Sequence, residues 1–180
     1  YIGLQALLFS VGLTPEDVTM DPIGFNQVEA FASGQNNIVV GYAANEPVVL
    51  NSQGFDLTEL RVADYVQLTA NGLLSSEMTI EDEPELVRSM ARALARGIAD
   101  TIENPDAAYT ISLKFVENLA DQDKAVQLQI LNTSIEFWKA EKIGYSDPQA
   151  WENMNDLLVK MELIPAPVDL TKAFTNEFVP

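Results

Sequence analysis

The chain of 180 residues contains neither cysteine nor histidine. Without cysteine there is no thiol nucleophile, no disulfide and no thiolate metal ligand. Without histidine there is no imidazole ligand and no Ser-His-Asp triad. Most common enzyme chemistries are removed by these two absences, so the expected class is a non-catalytic protein with no metal. Basic residues are scarce as well: 10 Lys and Arg stand against 27 Asp and Glu, for a net charge of −17. Neutralising phosphates takes clustered cations, so neither nucleic acid nor an anionic membrane surface is an expected partner. No apolar run is long enough to span a bilayer, and no basic segment leading into an apolar stretch opens the chain. The lack of cysteine fits an exported protein that avoids stray disulfides. No internal repeat or low-complexity segment is visible.

What remains is a globular composition, 47% hydrophobic and 21% charged, sufficient for one large or two small domains. The central stretch is Asn37 to Ser52. Its apolar run Ile38-Val39-Val40 predicts a buried strand that stops at Gly41, and Pro47 sits where the first turn of a helix tolerates a missing N–H. In an open α/β sheet the loop at the carboxyl end of a strand holds ligands. Tyr42, Asn45 and Glu46 therefore fall where a small molecule would be gripped. The alternative is that Asn45 or Glu46 only caps the helix.

On either side, Tyr1 to Val11 has a helical stripe, Val18 to Ile23 reads as a strand, and Gly24-Phe25-Asn26 leads into a short helix over Gln27 to Ser33. This alternation predicts parallel βαβ units. Leu57 to Val62 reads as another strand, and Asp64 to Leu68 and Gly72 to Ile80 as extended, with Asn71-Gly72 a hairpin turn or a bend. After Ile80 the pattern becomes helical. Leu86, Met90, Leu94, Ile98 and Ile102 recur every four residues behind Pro84. Arg88, Arg92 and Arg96 form a second stripe, read as a solvated, salt-bridged face rather than an anion site. Further helices are predicted over Asn104 to Leu119, Asp123 to Lys142, from Ser146 onward, and about Leu170 to Phe178. Trp138 and Trp151 lie on apolar stripes and read as core anchors.

The ordered set GFNQVEAFASGQ, VVGYAANEPVVL, DY, NGLLSSE and PELVRSMARALARGIADTIENPDAA, followed by the two tryptophans, is similar to the substrate-binding proteins of ABC importers. It resembles the branch with receptors for the thiamine pyrimidine precursor, alkanesulfonates, taurine, nitrate and riboflavin, and the likeness runs from Tyr1 nearly to the end. The resemblance implies an α/β fold of the type II periplasmic-binding-protein kind, two α/β lobes joined by a hinge. Residues 1–63 would be the second lobe on the ligand cleft, 64–80 the return crossing and hinge, and 81–180 helices packing on the first lobe. Part of that first lobe, and a leader peptide, would then lie outside these residues. A monomeric, periplasmic or otherwise extracytoplasmic receptor is implied, with or without a lipid anchor. Its partners would be a small ligand and ABC permease subunits, and no cofactor is called for.

Carried onto this sequence, the family's ligand contacts fall on Phe25 and Asn26 after the first strand and on Tyr42, Asn45 and Glu46 after the second. Tyr1, at the N-terminus of the first helix, would bring free N–H groups to the cleft, and Tyr65 lies near the return crossing. The expected ligand is a small heteroaromatic like the thiamine pyrimidine precursor. Tyr42 or Phe25 would offer a ring face, and Glu46 would accept from ring-amino groups while repelling a sulfonate or nitrate. Riboflavin, with an N–H edge and many hydroxyls, is the alternative, and an alkanesulfonate, taurine or nitrate a further one. Pyrimidine synthases of the same fold use a histidine and a cysteine-rich motif, which this chain lacks. A glycosidase-like pair of Glu46 and Asp64 is the remaining enzymatic alternative, but acids are so numerous here that any two can be matched.

Overall fold

Prolines and short polar caps mark where most of the helices begin. The computed structural model describes residues 1–180, which divide into two compact units: residues 1–67 with 117–134, and residues 68–116 with 135–180.

In the first unit, α1 (Ile2–Ser10) packs against a single 3₁₀ turn at Val62–Asp64. Gly3 lies where an added Cβ would just touch the Val62 side chain, at 3.5 Å. A second 3₁₀ turn, Pro15–Asp17, is closed by the Asp17 carboxylate, which accepts from the Thr14 N–H at 2.8 Å and the Thr14 hydroxyl at 2.9 Å. Those two bonds hold the Asp17 carboxyl below its ordinary pKa. Helices α2 (Gln27–Ala32) and α3 (Glu46–Ser52) pack on each other. Beside them Phe31 meets Phe55 edge to face, with ring centroids 5.8 Å apart. Ala6, Leu8, Ala30 and Leu50 are the buried apolar residues here, and Gln5 is buried with them.

The second unit is built on α4 (Glu77–Asp82), α5 (Pro84–Glu103) and α6 (Pro105–Ser112), consecutive helices that pack in series. Ser76 caps α4 and Asn104 caps α6, each side-chain oxygen receiving an N–H from three residues on. Helix α7 (Lys124–Trp138) carries residues of both units. Asp147 caps α8 (Pro148–Lys160), and α9 (Leu170–Ala173) is one short turn. Trp151 stacks on Phe174 at 4.9 Å with nearly parallel rings. Buried Asn155 accepts the Val168 N–H at 3.0 Å. Asn176 and Ser146 exchange two hydrogen bonds, of 2.8 and 2.9 Å.

The architecture is helical throughout: no residue is in a β-strand or bridge. This overturns the α/β expectation, with its two sheet-based lobes of the type II periplasmic-binding-protein kind. The physical reason is that a strand exists only through a ladder partner. Residues 18–23, 38–40 and 57–61 run without one, and nearby turns are closed by short-range bonds such as Asn36 N–H to Ala30 O and Phe55 N–H to Leu50 O. Ile38, predicted buried, is 86% exposed. No hairpin forms at Asn71-Gly72, and the end of the predicted extended stretch, from Glu77, is helical as α4.

The four-residue stripe of α5 is covered only over its second half, at Ile98 and Ile102. Leu86, Met90 and Leu94 are 48%, 55% and 47% exposed, whereas Val87, Arg88, Ala91, Ala95, Ile98, Thr101 and Ile102 are the half-buried positions. Arg88 lies over the ring of buried Phe178 at 5.1 Å from its centroid and pairs with Glu85 and Glu177. Arg96 pairs with Asp100 one turn on.

Candidate functional site

The first unit holds every residue singled out above for ligand contact. Tyr42, Asn45 and Glu46 are brought together in one turn. The Glu46 Oε2 accepts the Tyr42 backbone N–H at 2.7 Å, its Oε1 accepts the Asn45 side-chain amide at 3.4 Å, and the Asn45 N–H returns to the Tyr42 carbonyl at 2.9 Å. Glu46 is the first residue of α3, so its charge also lies at the favourable end of the helix dipole. Asn45 stands at the N-cap without a side-chain capping bond. The carboxylate thus locks the turn while retaining further lone pairs for an incoming donor. Tyr42 is 74% exposed at the turn's surface.

Gly41 is needed for this closure. A Cβ there would come within 2.7 Å of Glu46 Oε2 and 2.9 Å of its carboxyl carbon. Gly41→Ala is therefore expected to push the carboxylate off the Tyr42 N–H, lowering stability by about 1 kcal/mol, as Glu46→Ala does by deleting the same bond. Chemical denaturation of both single variants and the double variant checks this. A double variant that loses no more than either single one identifies one shared interaction, and full additivity refutes it.

Phe25 and Asn26 sit in the turn before α2. Phe25 is almost wholly exposed, and the Asn26 amide donates to the Ile23 carbonyl at 3.2 Å. Asn26 also lines a cleft of about 450 Å³ with Ile23, Glu29, Ala30, Ser33 and Gln35. Tyr1, at the N-cap of α1, and Tyr65, just after the 3₁₀ turn on which α1 packs, are both surface residues. No hydrogen bond or ring contact ties either of them to the Tyr42–Glu46 turn. No group of acids is arranged to hold a metal ion.

The cleft's other lining residues were not singled out from the sequence. A signal for them was present: Asn26, Glu29, Ala30 and Ser33 stand at i, i+3, i+4 and i+7, one face of a helix. That face is mostly polar, so an apolar periodicity passes over it.

Residues 2–108 match the family model described as NMT1/THI5 like. The chain belongs to that family. Among its relatives are the riboflavin-binding protein RibY of Chloroflexus aurantiacus, 42% identical over all of this chain and 53% of its own length. A formylaminopyrimidine-binding protein of Halalkalibacterium halodurans is 26% identical over 96% of this chain and 54% of its own. A 4-amino-5-hydroxymethyl-2-methylpyrimidine phosphate synthase of Legionella pneumophila is 22% identical over all of this chain and 58% of its own. The chain thus spans about half the length of the curated relatives it matches. Within this NMT1/THI5-like group its strongest likeness of the three is to a binding protein rather than to the synthase, as expected for a chain without histidine or cysteine. No helix is long and apolar enough to cross a membrane.

Proposed function

We propose that this protein is a solute-binding receptor of an ABC importer and that its ligand is riboflavin or a close flavin. The observation that carries this is the 42% identity to a riboflavin-binding relative along the whole chain, well above the 26% shared with the formylaminopyrimidine-binding one. The ranking replaces a thiamine pyrimidine precursor as first choice with the flavin alternative. The chemistry of the first unit is compatible with it. Exposed Tyr42 and Phe25 offer ring faces to a flat tricycle, and Asn26, Asn45 and the free lone pairs of Glu46 offer partners for its imide edge. Tyr1 and Tyr65, in the same unit, are further proposed contacts. The receptor would work outside the cytoplasmic membrane and pass its ligand to permease subunits.

Flavin fluorescence titration and thermal unfolding test the proposal. Riboflavin at a hundred times its dissociation constant is expected to stabilise the fold by about 2.7 kcal/mol. A shift with formylaminopyrimidine and none with riboflavin would move the protein to the pyrimidine receptors of the family. A shift only with taurine or nitrate would overturn the heteroaromatic ligand altogether.

A further inference from the structure

The cleft beside α2 has a lining that the Tyr42–Glu46 turn does not share. Four of its six lining residues are polar, and their chemistry is mixed. The Glu29 carboxylate is an acceptor with no hydrogen bond or ion pair of its own, the Ser33 N–H going to the Glu29 backbone carbonyl. Ser33 donates its hydroxyl to the Ala30 carbonyl at 3.3 Å, leaving its lone pairs open. Asn26 and Gln35 are carboxamides, each able to donate and accept. Gln35 and its neighbour Asn36 both reach the Asp21 carboxylate, at 3.4 and 3.1 Å, which fixes the chain along this side. Ile23 and buried Ala30 supply a small apolar floor.

This donor set discriminates between ligand classes. No Lys or Arg lines the cleft, and Glu29, with Asp21 beside it, opposes an anion such as a phosphate or sulfonate by like charge. A single lining carboxylate is a poor seat for a metal cation. A largely apolar ligand would leave four polar side chains poorly matched. A chain of neutral hydroxyls fits, because each hydroxyl both donates and accepts. The Glu29 carboxylate accepts a hydrogen bond, the two amides donate and accept, and the Ser33 oxygen accepts. The volume lies within the range of small-molecule sites.

We infer that the cleft formed by Ile23, Asn26, Glu29, Ala30, Ser33 and Gln35 is a subsite for a neutral polyhydroxylated chain, which for the ligand proposed above is the ribityl group of riboflavin. This rests on the flavin proposal and adds to it. Asn26 belongs both to the residues implicated by family resemblance and to the cleft, so one residue serves both groups.

The test compares riboflavin with lumiflavin, which keeps the tricyclic ring and lacks the polyol, and with riboflavin 5′-phosphate. Titrations use the whole chain and its Glu29→Ala and Gln35→Ala variants, both at exposed positions. Riboflavin is expected to bind more tightly than lumiflavin. That affinity ratio is expected to fall about tenfold in Glu29→Ala, the loss of one hydrogen bond to a charged group. The phosphate ester is expected to bind about tenfold more weakly than riboflavin in the native protein, and to recover in Glu29→Ala. Equal affinities for riboflavin and lumiflavin, or a ratio that neither variant changes, would overturn the subsite and leave the flavin receptor standing. Failure of both flavins to bind would overturn the receptor proposal, and the subsite with it.

Discussion

Leu50→Ala is expected to destabilise the first unit by about 2–5 kcal/mol. Leu50 is 2% exposed and is the one buried residue of α3. Truncating it removes buried area and leaves a void that a six- or seven-residue helix pair has few side chains to fill. The amount is large against the roughly 5–15 kcal/mol total of an ordinary domain. Urea unfolding should show a lower midpoint with an unchanged slope. Because α3 begins at Glu46, riboflavin affinity should fall in the same variant although Leu50 touches no proposed ligand atom. A midpoint that hardly moves would mean that α3 is held by its turn rather than by Leu50.

Gln5→Met is expected to act in the opposite sense. The Gln5 side chain is 1% exposed, and neither its amide nitrogen nor its carbonyl oxygen has a hydrogen-bond partner. Burial strips both groups of water without replacement, a penalty of about 1–3 kcal/mol each in such cases. Methionine keeps the length and flexibility of glutamine and removes the unpaired atoms. Thermal unfolding should therefore show a raised midpoint. A lowered midpoint would mean that an internal water satisfies the amide in solution and that the variant evicts it.

The helical half of the fold was legible because its signals are local. Asn104-Pro105 and Asp147-Pro148 state a cap and a first turn within two residues, and both helices begin there. The strands failed for the complementary reason. Ile38-Val39-Val40 records an apolar run, but a ladder needs a second segment that three residues cannot specify. The stripe on α5 holds in part: Ile98 and Ile102 are half-buried as their spacing suggests, whereas in the first half Leu86, Met90 and Leu94 are exposed and Val87, Ala91 and Ala95, one position on, are the half-buried ones. At the candidate site the Tyr42–Glu46 turn was legible from Pro47 and the acid beside it. The sequence does not choose between capping and ligand contact for Asn45 and Glu46, and the Glu46 bond to the Tyr42 N–H is visible only in the structure. Glu29 and Ser33, on the polar face and C-cap of α2, and Gln35, in the bend after it, look like solvent-facing surface until a cleft is seen along them.

The exposed Leu86, Met90 and Leu94 have a colloidal consequence. Three large apolar side chains in line would draw two molecules together on contact, but each molecule carries 17 net negative charges. At low ionic strength that charge repels across tens of ångströms, and near physiological salt the reach shrinks to about 8 Å. Dispersal of this protein in water is thus a balance between a sticky helix face and a like-charged cloud, and added salt weakens only the second.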